Sequence, residues 1–124
     1  MKFMLAVLTE YGATAAGAAS PAWLDCAQAM RKAGVLVEDG TLEPPATSTT
    51  IRAANSGHVV SDGPRSRADR QLARYFIIDV ASADDAARWA AGCAVARNEA
   101  IVIRRCLRGA ELPAAVSAKR PGRT

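Results

Sequence analysis

With 124 residues, half of them apolar and only 5% aromatic, the chain has room for one domain with a thin core, and it is too apolar to be disordered. Its net charge of +4 is divided unevenly: residues 1–62 carry four basic and six acidic side chains, residues 63–124 twelve and six. These cations are not interleaved with aromatics and no helix-turn-helix pattern accompanies them, so nucleic acid is not an expected partner. All but Lys119 of the second-half cations are arginines, whose forks suit a carboxylate or phosphate, or else simply solvate a surface and a basic tail.

The apolar run Phe3–Leu8 is shorter than the ~7–15 residues of a signal-peptide core and far from the ~20 of a membrane span. It has the length of a buried strand, so Phe3–Thr9 is expected as a central strand covered on both faces, in a cytoplasmic protein. Gly12–Ala19 is expected to be a loop. Ser20-Pro21 opens a helix in which Trp23, Cys26, Ala27 and Met30 share one side, and Gly34 ends it. Val35–Val37 is a short extended segment, and Glu43-Pro44-Pro45 stops regular structure. Thr49–Ala53 and His58–Asp62, joined by Ala54-Asn55-Ser56-Gly57, predict a hairpin. Asp62-Gly63-Pro64 is a turn and Arg65–Arg74 a polar stretch. Tyr75–Val80 is a second buried strand. Ser82-Ala83-Asp84-Asp85 predicts a capped helix with Ala86, Trp89, Ala90 and Cys93 inward and Gly92 at its exit. Ala100–Leu107 is the last strand. The domain is expected over 1–107, with 108–124 a basic, mobile tail.

This order predicts an α+β, ferredoxin-like β-α-β-β-α-β sandwich with a hairpin between its halves. Both helices would cover one sheet face and leave the other to a partner subunit or a ligand; a homodimer is expected. Three cysteines without a Cys-x-x-Cys spacing predict reduced thiols, and a single histidine predicts no metal site and no cofactor.

Several separated segments carry a family resemblance. Leu42–Arg52 (LEPPATSTTIR), Val60-Ser61-Asp62-Gly63-Pro64, Gln71-Leu72 and Tyr75–Val80 (YFIIDV), together with Met1–Leu5 and Ala33-Gly34-Val35-Leu36, resemble the DGPF branch of the YCII-related proteins over roughly residues 1–106. The resemblance implies a ferredoxin-like fold that pairs into a dimeric α+β barrel. Most members of that branch have no established activity, and some are linked to sigma factors of transcription. A YCII relative is a dehydrochlorinase with a proposed His–Asp centre. Where that histidine lies, early in the first helix, this chain has Trp23; the usual phenylalanine of the DGPF motif is Arg65, and the commonly acidic residue after it is Arg67.

Asp62 leads the candidates. At a strand end beside a cleft its carboxylate would act as general base, although Asp-Gly-Pro is also ordinary turn chemistry. His58 shares its strand face but lies about 13 Å away along a straight strand, so a dyad needs a bulge or a partner subunit. Arg65, Arg67, Arg70 and Arg74 either receive an anion or form a solvated loop around Asp69; Arg52 and Arg104 point into the cleft or into solvent. Tyr11, Trp23 and Trp89 are candidates for an aromatic wall, although Trp89 fits the core stripe of its helix and Trp23 is expected to be the more open of the two. The expected function is binding of a small anionic or phenolic molecule, with cofactor-independent lyase or isomerase chemistry at Asp62. The alternative is a non-catalytic, transcription-associated interaction module.

Overall fold

The computed structural model describes residues 1–10, 21–66, 70–93 and 99–112. In chain order the elements are β1 (Lys2–Glu10), α1 (Pro21–Lys32), β2 (Leu36–Thr41), β3 (Thr49–Ala54), β4 (Gly57–Asp62), β5 (Arg70–Asp79), α2 (Ala83–Gly92) and β6 (Ala100–Cys106). Four strands form one sheet in the order β2-β5-β1-β6, and β3 and β4 form a separate two-stranded ladder. Every pairing in the larger sheet is antiparallel. β1 and β2 therefore run parallel with β5 between them, and β5 and β6 run parallel with β1 between them. The domain is α+β, with a mostly antiparallel sheet and two helices.

Strand periodicity decides where the core sits. Phe3, Leu5, Val7 and Thr9 of β1 are buried, and the register sets Ile78 against Phe3, Phe76 against Leu5 and Arg74 against Val7. On this face lie Trp23, Cys26, Ala27 and Met30 of α1 and Ala86 and Ala90 of α2. The helical stripes expected from spacing are thus the buried ones, with one exchange. Trp23 is a core residue, 1% exposed, its ring 6.0 Å from that of Phe76. Trp89 is only half-buried at the margin. The Ser82 hydroxyl accepts the Asp85 N–H at 3.2 Å, as its capping pattern requires. The proposed cap Ser20 and the Gly12–Ala19 segment lie outside the described residues.

Three expectations need correction. First, β1 is covered on one face only: Met4, Ala6 and Leu8 are half-exposed. Second, the stretch before Tyr75 is not wholly loop, because Arg70–Arg74 belongs to β5, and a register shift at Val7/Leu8 accommodates it beside β1. Third, Cys26 and Cys93 are not reduced thiols but a disulfide, with Cα atoms 5.6 Å apart. One lies on the inner stripe of α1 and the other at the end of α2; packing both helices on the same face brings together residues 67 apart in sequence. Cys106 is free. The chain also stays regular past residue 107. Gly109–Glu111 is a 3-10 turn in which the Arg108 N–H donates to the Glu111 carboxylate at 2.9 Å, an interaction that lowers the Glu111 pKa.

No described helix is long and apolar enough to cross a membrane.

Candidate functional site

The β2–β5 ladder carries two polar groups on opposite faces. On the helix-covered face is Arg74, 3% exposed, opposite Thr41 in the register. Its Nη2 donates to Asp39 Oδ2 at 2.6 Å, its Nη1 donates to the Thr41 hydroxyl, and its guanidinium lies 4.9 Å from the centre of the Phe76 ring. Arg31, in the last turn of α1, adds a second cation 3.7 Å from Asp39. The buried Nε of Arg74 has no hydrogen-bond partner. A buried arginine requires a paired anion, and Asp39 supplies it from the neighbouring strand.

On the uncovered face the Tyr75 phenol donates to Glu38 Oε2 at 2.8 Å. The Tyr75 ring lies over Gly40, where a β-carbon would approach its ring atoms to 2.7 Å. Any side chain there would require the Tyr75 ring to shift off Gly40. The hydrogen bond to Glu38, partial desolvation and the nearby negative charges of Glu38 and Asp39 all raise the Tyr75 pKa. The register continues this face across the sheet as the row Glu38–Ile77–Met4–Arg104, and beside it Gly40–Tyr75–Ala6–Val102. Its centre is apolar and its ends carry opposite charges.

The hairpin bears the residues that the sequence singled out. In the β3–β4 ladder Asp62 is opposite Thr49, Val60 opposite Ile51 and His58 opposite Ala53, so these six side chains share one face. Arg52 is on the other face, opposite Val59. All are exposed, and so is Arg65 just beyond. Gly63, at φ +88°, turns the chain out of β4, and its N–H donates to the Ser48 carbonyl at 2.7 Å. His58 and Asp62 occupy opposite ends of one strand, as expected. Trp23 is in the core and away from the hairpin face, while Tyr11 and Arg67 lie outside the described residues.

Sequence reasoning missed three participants. Arg74 reads from sequence as one of four arginines that either receive an anion or form a solvated loop, although Arg74, Phe76 and Ile78 alternate in a way that extends the strand upstream. Glu38 and Tyr75 are 37 residues apart, and no local pattern joins them. A further groove of about 540 Å³ at the start of α2 is lined by Trp89, Asp85, Arg88 and Asp79 and contains, of the expected site residues, Trp89 alone. Among the described residues no group of three or more His, Cys, Asp or Glu side chains is placed to hold a metal. Compared with known proteins, the chain matches no family model and no curated protein.

Proposed function

We propose that the chain is one subunit of a homodimer of ferredoxin-like domains, similar to the DGPF branch, that binds a small anionic or phenolic molecule between its subunits. The observation that carries this reading is the uncovered sheet face. β1 and the Tyr75–Ile78 half of β5 are apolar on both sides, yet the helices cover only one, leaving Met4, Ala6, Leu8 and Ile77, with Val102 of the neighbouring β6, partly in water. Continuous apolar strands belong in sheets covered on both faces, and an exposed apolar patch of this kind marks an interface. The strand order, with two parallel pairs each joined through a helix, supports the ferredoxin-like topology.

A second copy over that face would enclose a cleft containing the Tyr75–Glu38 pair and Arg104, with Arg52 and Arg65 as further anion receivers; Trp23, sealed in the core on the opposite face, is no longer a candidate for its wall. Asp62 remains the candidate base for proton transfer of the elimination or isomerisation type, and His58 its candidate companion. No cofactor enters this chemistry. We place the protein in the cytoplasm, where the burial of Cys26 and Cys93 would shield their bond from exchange with external thiols.

The test is a thermal-shift screen of small carboxylates and phenols on wild type and Asp62→Asn. A compound that raises Tm in wild type and loses its effect in the variant would support the site at Asp62. Equal stabilisation of both proteins would remove Asp62 from it. The exposed Ile51, Val59 and Val60 of the hairpin favour a second reading, a non-catalytic interaction module, and an absence of stabilisation by every compound would favour it over the first.

A further inference from the structure

We infer that the β3–β4 hairpin of one subunit lies across the uncovered sheet face of a second copy, and that the site is complete only when His58 and Asp62 meet Glu38, Tyr75 and Arg104 of the partner subunit. This rests on the homodimer reading and adds which parts touch.

The hairpin cannot account for itself. A two-stranded ribbon in water is marginal without something to pack on, yet nearly every residue of β3 and β4 is exposed. Ile51 and Val60 face each other across the ladder, and each is 64% exposed. On the same face they are flanked by His58 toward the tip and Asp62 at the base. The pattern along β4 is therefore imidazole, apolar pair, carboxylate.

The sheet carries the complement. Its row Glu38–Ile77–Met4–Arg104 reads carboxylate, two apolar side chains, guanidinium. His58 and Asp62 are four residues apart, about 13 Å along a strand; Glu38 and Arg104 are three strand spacings apart, about 14 Å across the sheet. A hairpin crossing the strands near a right angle, one of the two packing modes of sheets, sets Asp62 on Arg104, His58 on Glu38, and Ile51 with Val60 on Ile77 and Met4. The reverse direction would set Asp62 against Glu38, and that repulsion fixes the orientation. By two-fold symmetry the same contact forms twice. The rows beside it, through Ala6 and Val102 and through Leu8 and Ala100, stay free for the partner's sheet.

The chemical consequence is a three-group chain across the interface. Glu38 already accepts the Tyr75 phenol, and its carboxylate would also orient the His58 imidazole of the other subunit. An imidazole held by a carboxylate beside a phenol is suited to proton transfer on a ligand bound there, so in this arrangement His58 takes the base role and Asp62, paired with Arg104, fixes the contact and the ligand's surroundings.

Sedimentation equilibrium of the full chain tests the arrangement. The expected result is a wild-type dimer whose Kd rises about tenfold or more in Asp62→Arg and in Arg104→Asp, each of which opposes like charges, and returns toward wild type when the two are combined. Ile51→Asp with Val60→Asp, at positions where the folded monomer tolerates charge, is expected to weaken the dimer similarly, with an unchanged circular dichroism spectrum. A wild-type dimer indifferent to all of these variants overturns the hairpin contact and leaves the homodimer reading standing. A wild-type monomer at every concentration overturns both.

Discussion

The two faces of the four-stranded sheet are built from similar side chains and meet different surroundings. On one, Phe3, Leu5, Val7, Phe76 and Ile78 are sealed under two helices joined by the Cys26–Cys93 bond. On the other, Met4, Ala6, Leu8 and Ile77 are half-exposed, and the hairpin stands out with Ile51 and Val60 in water. Apolar composition alone therefore does not say what a strand is buried against. Here one face is satisfied within the chain, and the other is left open, which is where we propose that the hairpin of another copy lies.

If that contrast is right, substitutions on the sealed face should cost stability and those on the hairpin should not. The largest effect is expected for Trp23→Ala, which empties a fully buried ring site: about 4–5 kcal/mol of unfolding free energy by urea denaturation. Next is loss of the disulfide, by reductant or in the Cys26→Ala/Cys93→Ala variant. Opening a loop of 67 residues is expected to cost about 4 kcal/mol in the chain-entropy model, measured by the same titration with and without reductant. Asp39→Asn leaves the buried Arg74 without its anion and should cost about 3 kcal/mol; Arg74→Met in that background should recover part of it, which a double-mutant cycle would reveal.

Effects on the uncovered face are smaller and of another kind. The raised pKa of Tyr75 means that the fold favours the neutral phenol. Its contribution to stability is fully present below the ordinary value of 10.0 and lost as pH rises through the higher folded value. The tyrosinate absorbance titration of wild type minus that of Tyr75→Phe should therefore have its midpoint above 10.0, and Glu38→Gln should move it down. The smallest effect is expected for Ile51→Asp on the monomer, within about 0.5 kcal/mol by urea denaturation at a dilution where no dimer forms. A loss of several kcal/mol there would mean that the hairpin packs on its own chain, and the contrast between the two regions would fail.

Much of the sealed face was legible in the residue pattern. The spacing of Trp23, Cys26, Ala27 and Met30 marks a helix stripe whatever it packs on, and Ser82 with Asp85 marks a helix start, because both depend on backbone geometry within one turn. The Ile51–Val60 hairpin was legible for the same reason: its turn and its alternation are local. The candidate site was only half legible. His58 and Asp62 could be assigned to one strand face, but Arg74 sits in an arginine-rich run that reads like a solvated loop. Only pairing β5 with β2 and β1 turns its side chain inward onto Asp39, 35 residues away.

The sequence by itself determined the order of the elements, the extent of most of them but not of the first half of β5, and the apolar surplus on β1 and on Tyr75–Ile78, since each is set by neighbours within a few residues. The tertiary structure alone decided which face the helices take, that Cys26 meets Cys93, that Arg74 is buried on Asp39, and that Tyr75 reaches Glu38. Each of these depends on strand register and helix placement, which bring together residues tens of positions apart and leave no trace in local periodicity.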